Sequence, residues 1–106
     1  MDVIPSPLDF TYRFWGTANT TNLGYDLTGK SVWANPAFGE KVFNECRRIV
    51  DERRPLVFAS KVTREDGMCR QYERIRLPIS NDGENVTQIA STIYLEEKLG
   101  DIFNED

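Results

Sequence analysis

The feature that most constrains this chain is a single long helix pattern that is followed directly by three strand patterns. The helix pattern is a stripe of apolar residues at helical spacing, formed by Phe38, Val42, Cys46 and Ile49 and widened by Phe43 and Val50. Asn35-Pro36 favours a helix start, because Asn can accept hydrogen bonds from free backbone N–H groups and Pro has no N–H to leave unpaired. Since Pro55 disfavours any continuation, the sequence predicts a helix over residues 36–53.

Three segments after this helix have the composition and alternation of β-strands. They are Leu56 to Thr63, Cys69 to Ile79 and Val86 to Leu95. Asp66-Gly67 and Asp82-Gly83 fall between them, and Asp-Gly pairs are typical of tight hairpin turns. In the second strand, one face is shared by Glu73, Ile75, Leu77 and Ile79, and the other by Tyr72, Arg74 and Arg76. Since Glu73 shares a face with Ile75 and Leu77, one interpretation is that it points inward as a polar anchor, and the other is that it lies at the rim of the sheet paired with an arginine.

A fourth strand pattern precedes the helix. Asp9 to Trp15 alternates, with Phe10, Tyr12 and Phe14 on one side and Thr11, Arg13 and Trp15 on the other. Residues 17–35 are interrupted by Gly24 and Gly29, and they predict loops with one-turn helices. This order of segments predicts an α+β fold, in which helices cover one face of an antiparallel sheet.

Several short motifs occur in order along the chain: Asp9-Phe10-Thr11-Tyr12-Arg13 with Gly16-Thr17, the turn Asp26-Leu27-Thr28-Gly29-Lys30, and Tyr72-Glu73-Arg74 leading to Leu77-Pro78-Ile79-Ser80. Together they resemble the motifs of a PAS-like family that occurs in bacteria, often as single-domain proteins without an assigned function. The resemblance covers about residues 8–95. It implies a single PAS domain over residues 1–106, whose antiparallel sheet is covered on one face by a long helix and short helices. Residues 96–106 then form an acidic tail.

The chain departs from this family at its N-terminal end. PAS-like proteins usually have a full first strand, which lies between the edge strand and the last strand. Only Met1 to Ile4 precede Pro5 and Pro7 here, so either the first strand is very short or the natural chain is longer. A missing strand would leave backbone groups unpaired, and such groups invite pairing with another chain.

The resemblance also implies a mode of association. PAS domains generally meet their partners through the outer face of the sheet or through the N-terminal segment. Trp15 falls on the outer side of its strand pattern with Thr11 and Arg13, and Trp is a residue type that dominates interface energies. We therefore expect a homodimer with Trp15 in its interface.

The function that the resemblance implies is a sensory or protein-interaction module of bacterial signalling, without catalysis. In PAS domains the space between helix and sheet can hold a small molecule. The residues that we expect to line such a site are Tyr12, Phe14, Trp33, Phe38, Phe43 and Glu73. The same aromatic residues can instead simply fill the core, and Glu73 can instead pair with an arginine at the rim of the sheet.

Two other functions stay open at this point. A curved sheet with a long helix also builds small enzymes, in which a carboxylate acts as base and a Tyr polarises a carbonyl group. The residues available for that chemistry are Asp9, Glu73, Tyr12 and Tyr72. A scaffold whose only role is dimerisation is the other alternative.

The absence of histidine excludes several chemistries. The 106 residues contain no His, so a His-ligated haem, a Ser-His-Asp triad and a Cys-His dyad are excluded. Cys46 and Cys69, without His, do not make a zinc site, and neither has the sequence setting of a flavin photosensor. We therefore expect no metal and no cofactor.

Charge and hydropathy limit the partners and the location. The net charge of −4 argues against binding nucleic acid by bulk charge. No run of apolar residues is long enough to span a membrane, and Met1 to Pro5 lack the features of a signal peptide. Since both cysteines are interpreted as free thiols, we expect a cytoplasmic protein.

Overall fold

The computed structural model describes residues 1–16, 24–36, 38–63, 67 and 69–95. The strands are β1 (Asp2–Pro5), β2 (Leu8–Thr11), β3 (Leu56–Thr63), β4 (Cys69–Ile79) and β5 (Gln88–Leu95). In these ranges one α-helix, α1 (Gly39–Glu52), precedes β3, and one 3₁₀ turn, Val32–Ala34, precedes α1. The predicted acidic tail over 96–106 and the predicted short elements over 17–23 lie outside the described residues.

The five strands form one antiparallel sheet in the order β2-β1-β5-β4-β3. The long central ladders join β4 to β3 and β4 to β5, with eight residue pairs in each. The described part of the chain is thus an α+β structure with one α-helix, which confirms the predicted fold class at that level. The chain β3-β4-β5 is the predicted meander.

The limits of the meander strands follow from the turn chemistry. β3 and β4 have the predicted bounds, but β5 begins at Gln88 and not at Val86. The Asp82 side chain accepts hydrogen bonds from the backbone N–H groups of Glu84 and Asn85, both at 2.8 Å. These bonds extend the turn over more residues than the Asp82-Gly83 pair alone predicts.

The helix α1 begins later than the sequence predicts. Asn35 does make the predicted capping bonds: its Oδ1 accepts from the N–H of Phe38 at 3.1 Å, and its carbonyl oxygen accepts from the N–H of Gly39 at 3.1 Å. Regular helical geometry nevertheless starts only at Gly39, because the backbone of Phe38 is not helical (φ −125°, ψ 4°). The C-terminal end fits the prediction closely: Arg53 adopts a left-handed conformation (φ 55°) and its N–H donates to the Ile49 carbonyl.

The N-terminal region differs most from expectation. The predicted strand Asp9 to Trp15 is short, because β2 ends at Thr11. The Tyr12 N–H donates to the Lys30 carbonyl at 2.9 Å, and the Gly29 N–H donates to the Tyr12 carbonyl, so Tyr12 pairs with the Asp26–Lys30 turn and not with a strand. Gly29 has φ +79°, a conformation that favours glycine, which explains the residue in that turn. A short first strand is present: β1 has four residues, Asp2–Pro5.

The core lies between α1 and the sheet. Its buried apolar residues are Phe10, Tyr12, Leu27, Val32, Cys46, Ile49, Leu56 and Ile89. The predicted apolar stripe of α1 does face this core: Cys46 and Ile49 are buried, and Val42, Phe43 and Val50 are partly buried against it.

The interpretation that Glu73 points inward from β4 is wrong. Arg74 and Arg76 are buried beneath α1, whereas Leu77 and Ile79 are exposed. Since side chains alternate along a strand, Glu73 lies on the face away from the helix, with Ile75, Leu77 and Ile79. The physical reason is Glu45 on α1, whose carboxylate offers the two arginines a buried partner.

Candidate functional site

A buried ionic cluster joins α1 to the centre of the sheet. We call Glu45, Arg74 and Arg76 the Glu45 cluster; their exposures are 7%, 6% and 4%. Arg74 Nε donates to Glu45 Oε1 at 3.0 Å, and Arg74 Nη2 donates to Glu45 Oε2. Arg76 Nε donates to the same Oε1 at 3.0 Å. One carboxylate is therefore held by a two-pronged contact from one guanidinium and by a further bond from a second.

Two serines connect the cluster with neighbouring strands. Ser60 Oγ on β3 accepts from Arg74 Nη2 at 3.1 Å, and Ser91 Oγ on β5 accepts from Arg76 Nη1 at 2.8 Å. The exposed Lys41 side chain on α1 donates to Ser60 Oγ. Ser91 is exposed and Ser60 is half-buried, so the polar network runs from the buried cluster to the surface in two directions.

The arginines keep Glu45 ionised despite its burial. Burial on its own would raise the pKa of Glu45, because a charged group loses hydration. The hydrogen bonds from Arg74 and the positive charge of Arg76 outweigh that effect and lower the pKa below its usual value. Glu45 thus acts as a charged acceptor at neutral pH and is poorly suited to acting as a general base.

The adjacent Cys46 is held in its neutral form. It is fully buried, and burial raises the pKa of its thiol to about 11. Its Sγ lies 4.0 Å from the Met1 sulfur. A buried, protonated thiol is a weak nucleophile, so Cys46 serves as a packing residue.

An aromatic group lies between the end of β2 and the Asp26–Lys30 turn. The Tyr12 and Trp15 rings meet edge to face with centroids 4.9 Å apart, and Trp15 and Tyr25 stack at 6.2 Å. The Trp15 indole N–H donates to the Tyr25 carbonyl at 3.1 Å. The predicted place of Trp15 on an exposed outer face is therefore wrong: because β2 ends at Thr11, Trp15 turns back and packs against the core of its own chain.

The expected ligand-lining residues do not form one group. Tyr12 is buried, and Phe38 and Phe43 are half-buried along α1. Trp33 is exposed on one side but contacts Phe43, with ring centroids 4.9 Å apart. Phe14 is 84% exposed, since it follows the end of β2, and Glu73 lies on the opposite face of the sheet. Phe14 and Glu73 are thus wrongly predicted to point into the helix–sheet space.

The residues proposed for acid–base chemistry are also separated. Asp9 neighbours the buried Phe10 on β2 and therefore points to the other face, where its carboxylate accepts from Ser31 Oγ at 3.0 Å. Tyr12 lies in the core, on the helix side. Neither Asp9 nor Glu73 shares that side with Tyr12.

Sequence reasoning missed the Glu45 cluster. A signal was present: Glu45 falls three residues after Val42 and four before Ile49, within the apolar stripe of the helix. Two arginines on one face of a central strand are the matching signal. Opposite charges on a helix face and a strand face that pack together predict a buried ion pair. The apolar residues on the other face of β4 gave a competing signal, which favoured that face as the inward one.

Comparison with known protein families, with curated proteins and with solved structures gives no match for this chain. Within the described ranges, no helix has the length and apolar character needed to cross a membrane. The same part of the chain contains no group of three or more Cys, Asp and Glu side chains arranged to hold a metal ion.

Proposed function

We propose that this chain is a non-catalytic PAS-type sensory or protein-interaction module of bacterial signalling in the cytoplasm. The observation that carries the proposal is the position of β1. Although it has only four residues, it lies between the edge strand β2 and the last strand β5. This is the place that the PAS-like resemblance assigns to the first strand. The helix followed by the three-strand meander supports the same interpretation.

A small molecule bound between α1 and the sheet is the sensory form of this function. The side chains between α1 and the sheet combine aromatic surface, from Tyr12 and Phe43, with the polar Glu45 cluster. A thermal-shift screen of small metabolites tests it. We expect at least one compound to raise the unfolding temperature in proportion to the logarithm of its concentration. If a broad screen finds no stabilising compound, the sensory function is contradicted and protein interaction remains as the function.

We further propose that the domain forms a homodimer through the outer face of the sheet. Val57 (62% exposed), Leu77 and Ile79 are exposed there, and the pairing of Val57 with Ile75 places them in one stripe across β3 and β4. Ala90 extends the stripe onto β5 opposite Leu77. Aliphatic side chains clustered on an open sheet face favour burial against another surface.

Sedimentation velocity at micromolar concentration tests the dimer. Leu77→Glu places a charge in the middle of the stripe and should convert the dimer to a monomer. Asn44→Glu is the matched control, since it introduces the same charge at an exposed position of α1. A monomeric unmodified chain would end the proposal, and a dimer that tolerates Leu77→Glu would place its interface elsewhere.

A further inference from the structure

We propose that Arg74 and Arg76 form a binding site for the carboxylate of a small organic acid, which binds by exchanging with the side chain of Glu45. This inference rests on the proposed sensory function and names the chemical class of its ligand. Three features of the Glu45 cluster support it: the contacts among the three residues, the elements that hold them, and the hydrogen bonds that connect the cluster with the surface.

The donors of the cluster recognise a carboxylate group and not a particular side chain. Arg74 presents Nε and Nη2 to the two oxygens of Glu45, and Arg76 adds Nε to one of them. A planar guanidinium matches a planar carboxylate by two parallel hydrogen bonds, whatever carbon chain the carboxylate is attached to. A free organic acid offers the same acceptor atoms.

The two arginines and Glu45 are held by different elements. Arg74 pairs with Phe58 on one side and Ile93 on the other, and Arg76 is likewise paired on both sides of β4. The backbone positions of the arginines are therefore fixed independently of Glu45, and Ser60 and Ser91 also accept from their guanidinium groups. Glu45 belongs to α1, which joins β4 through side-chain contacts and not through a backbone ladder. Such a site is already organised for a ligand, which lowers the entropic cost of binding.

The serines give the site a polar border toward solvent. Ser91 is exposed and contacts Arg76, and the half-buried Ser60 contacts Arg74. Either hydroxyl can donate to a carboxylate oxygen that reaches the arginines. Exchange would also break the tie between Glu45 and β4, so ligand binding would alter the contact of α1 with the sheet. A ligand that makes different contacts in two arrangements shifts the balance between them.

Nitrogen-15 NMR of the unmodified protein tests the inference, with propionate as the probe and sodium chloride at equal ionic strength as the reference. We expect saturable shifts of the Nε–H signals of Arg74 and Arg76 and of amides around Glu45. The Nε–H signal of Arg54, which pairs with Glu52 on the surface, is the internal control. Shifts that are linear in propionate and equal to those with chloride would overturn the proposal.

Glu45→Gln sharpens the test, because it keeps the shape of the side chain and removes the charge of the internal competitor. We expect this variant to bind propionate at least about tenfold more tightly than the unmodified protein. Adding Arg76→Gln to the Glu45→Gln variant should abolish this increase in propionate affinity. Equal affinities with and without Glu45→Gln would contradict the exchange, and the titration of the unmodified protein decides the matter if the variant does not fold. Sedimentation of Leu77→Glu tests the interaction function separately.

Discussion

Glu45 stabilises this fold only when it is hydrogen-bonded to Arg74 and Arg76. A carboxylate in the apolar stripe of a helix would ordinarily be costly, because burial removes its hydration. Here Arg74 and Arg76 supply three hydrogen bonds to its two oxygens, and the pKa of Glu45 is lowered despite its burial. The stability of the fold is thus far more sensitive to loss of one member of the Glu45 cluster than to replacement of all three residues together.

Glu45→Leu should therefore be strongly destabilising, although it makes the helix stripe more apolar. The change leaves two guanidinium groups under α1 without this carboxylate, and we expect a loss of about 3–5 kcal/mol in the free energy of unfolding. Urea unfolding measures it. Glu40→Leu is the matched control at an exposed position of the same helix, where a change within about 0.5 kcal/mol is expected. Equal effects of the two substitutions would show that the cluster does not stabilise the fold.

The same residue predicts a pH dependence of stability. Glu45 has a lower pKa in the folded protein than its ordinary value of 4.5, which applies to the unfolded chain. Its contribution is therefore complete above that value and is lost as the pH falls through the lower folded-state pKa. Unfolding free energies from urea titrations between neutral pH and about pH 3 should decline. The Glu45→Gln variant should decline less, and a parallel decline in both proteins would assign the dependence to the surface carboxylates.

At the scale of the elements, the sequence patterns predict which helices and strands form, whereas hydrogen bonds in the turns determine where several of them end. The helix stripe and the strands β3 and β4 follow from periodicity, since many residues contribute to each pattern. The ends of β2, α1 and β5 do not, because each depends on a few local hydrogen bonds such as those of Asn35 and Asp82. The inward face of β4 was missed for a different reason: burial of Arg74 and Arg76 depends on Glu45, which is distant in sequence.

Gly39, the first residue of α1, gives a prediction at this scale. A Cβ atom there would lie 2.8 Å from the Val32 carbonyl oxygen, because the helix start packs closely on the 3₁₀ turn. Gly39→Ala should therefore destabilise the protein by about 1–3 kcal/mol, although Ala is the better helix former. Asn44→Ala, at an exposed position of α1, should be neutral or slightly stabilising. Thermal unfolding of both variants measures this, and a more stable Gly39→Ala variant would show that the turn moves aside.

At the scale of the whole molecule, the sheet depends on a strand that the sequence hardly indicates. β1 has four residues, ends in Pro5 and is followed closely by Pro7, so no strand pattern is visible. It nevertheless pairs with β2 along its length and meets β5 at Asp2. The Val3 N–H also donates to the Thr87 carbonyl at 3.0 Å. These backbone bonds, which local sequence patterns do not indicate, hold β1 in the sheet.

If β1 joins β2 to the rest of the sheet, its inner side chain should matter to the whole fold. Val3 packs against the core opposite Phe10, whereas the next residue, Ile4, is exposed on the other face. Val3→Asp removes part of the about 1.5–3 kcal/mol that full burial of such a side chain contributes, and it adds a poorly hydrated carboxylate. We expect it to lower the unfolding temperature markedly and to promote aggregation through the released edges of β2 and β5. Ile4→Asp places the same charge one residue later on the exposed face and should lower the unfolding temperature much less, the remaining loss coming from the Asp9 carboxylate on the paired residue. Thermal unfolding with light scattering measures both properties, and equal behaviour of the two variants would mean that β1 is not an integral strand of the sheet.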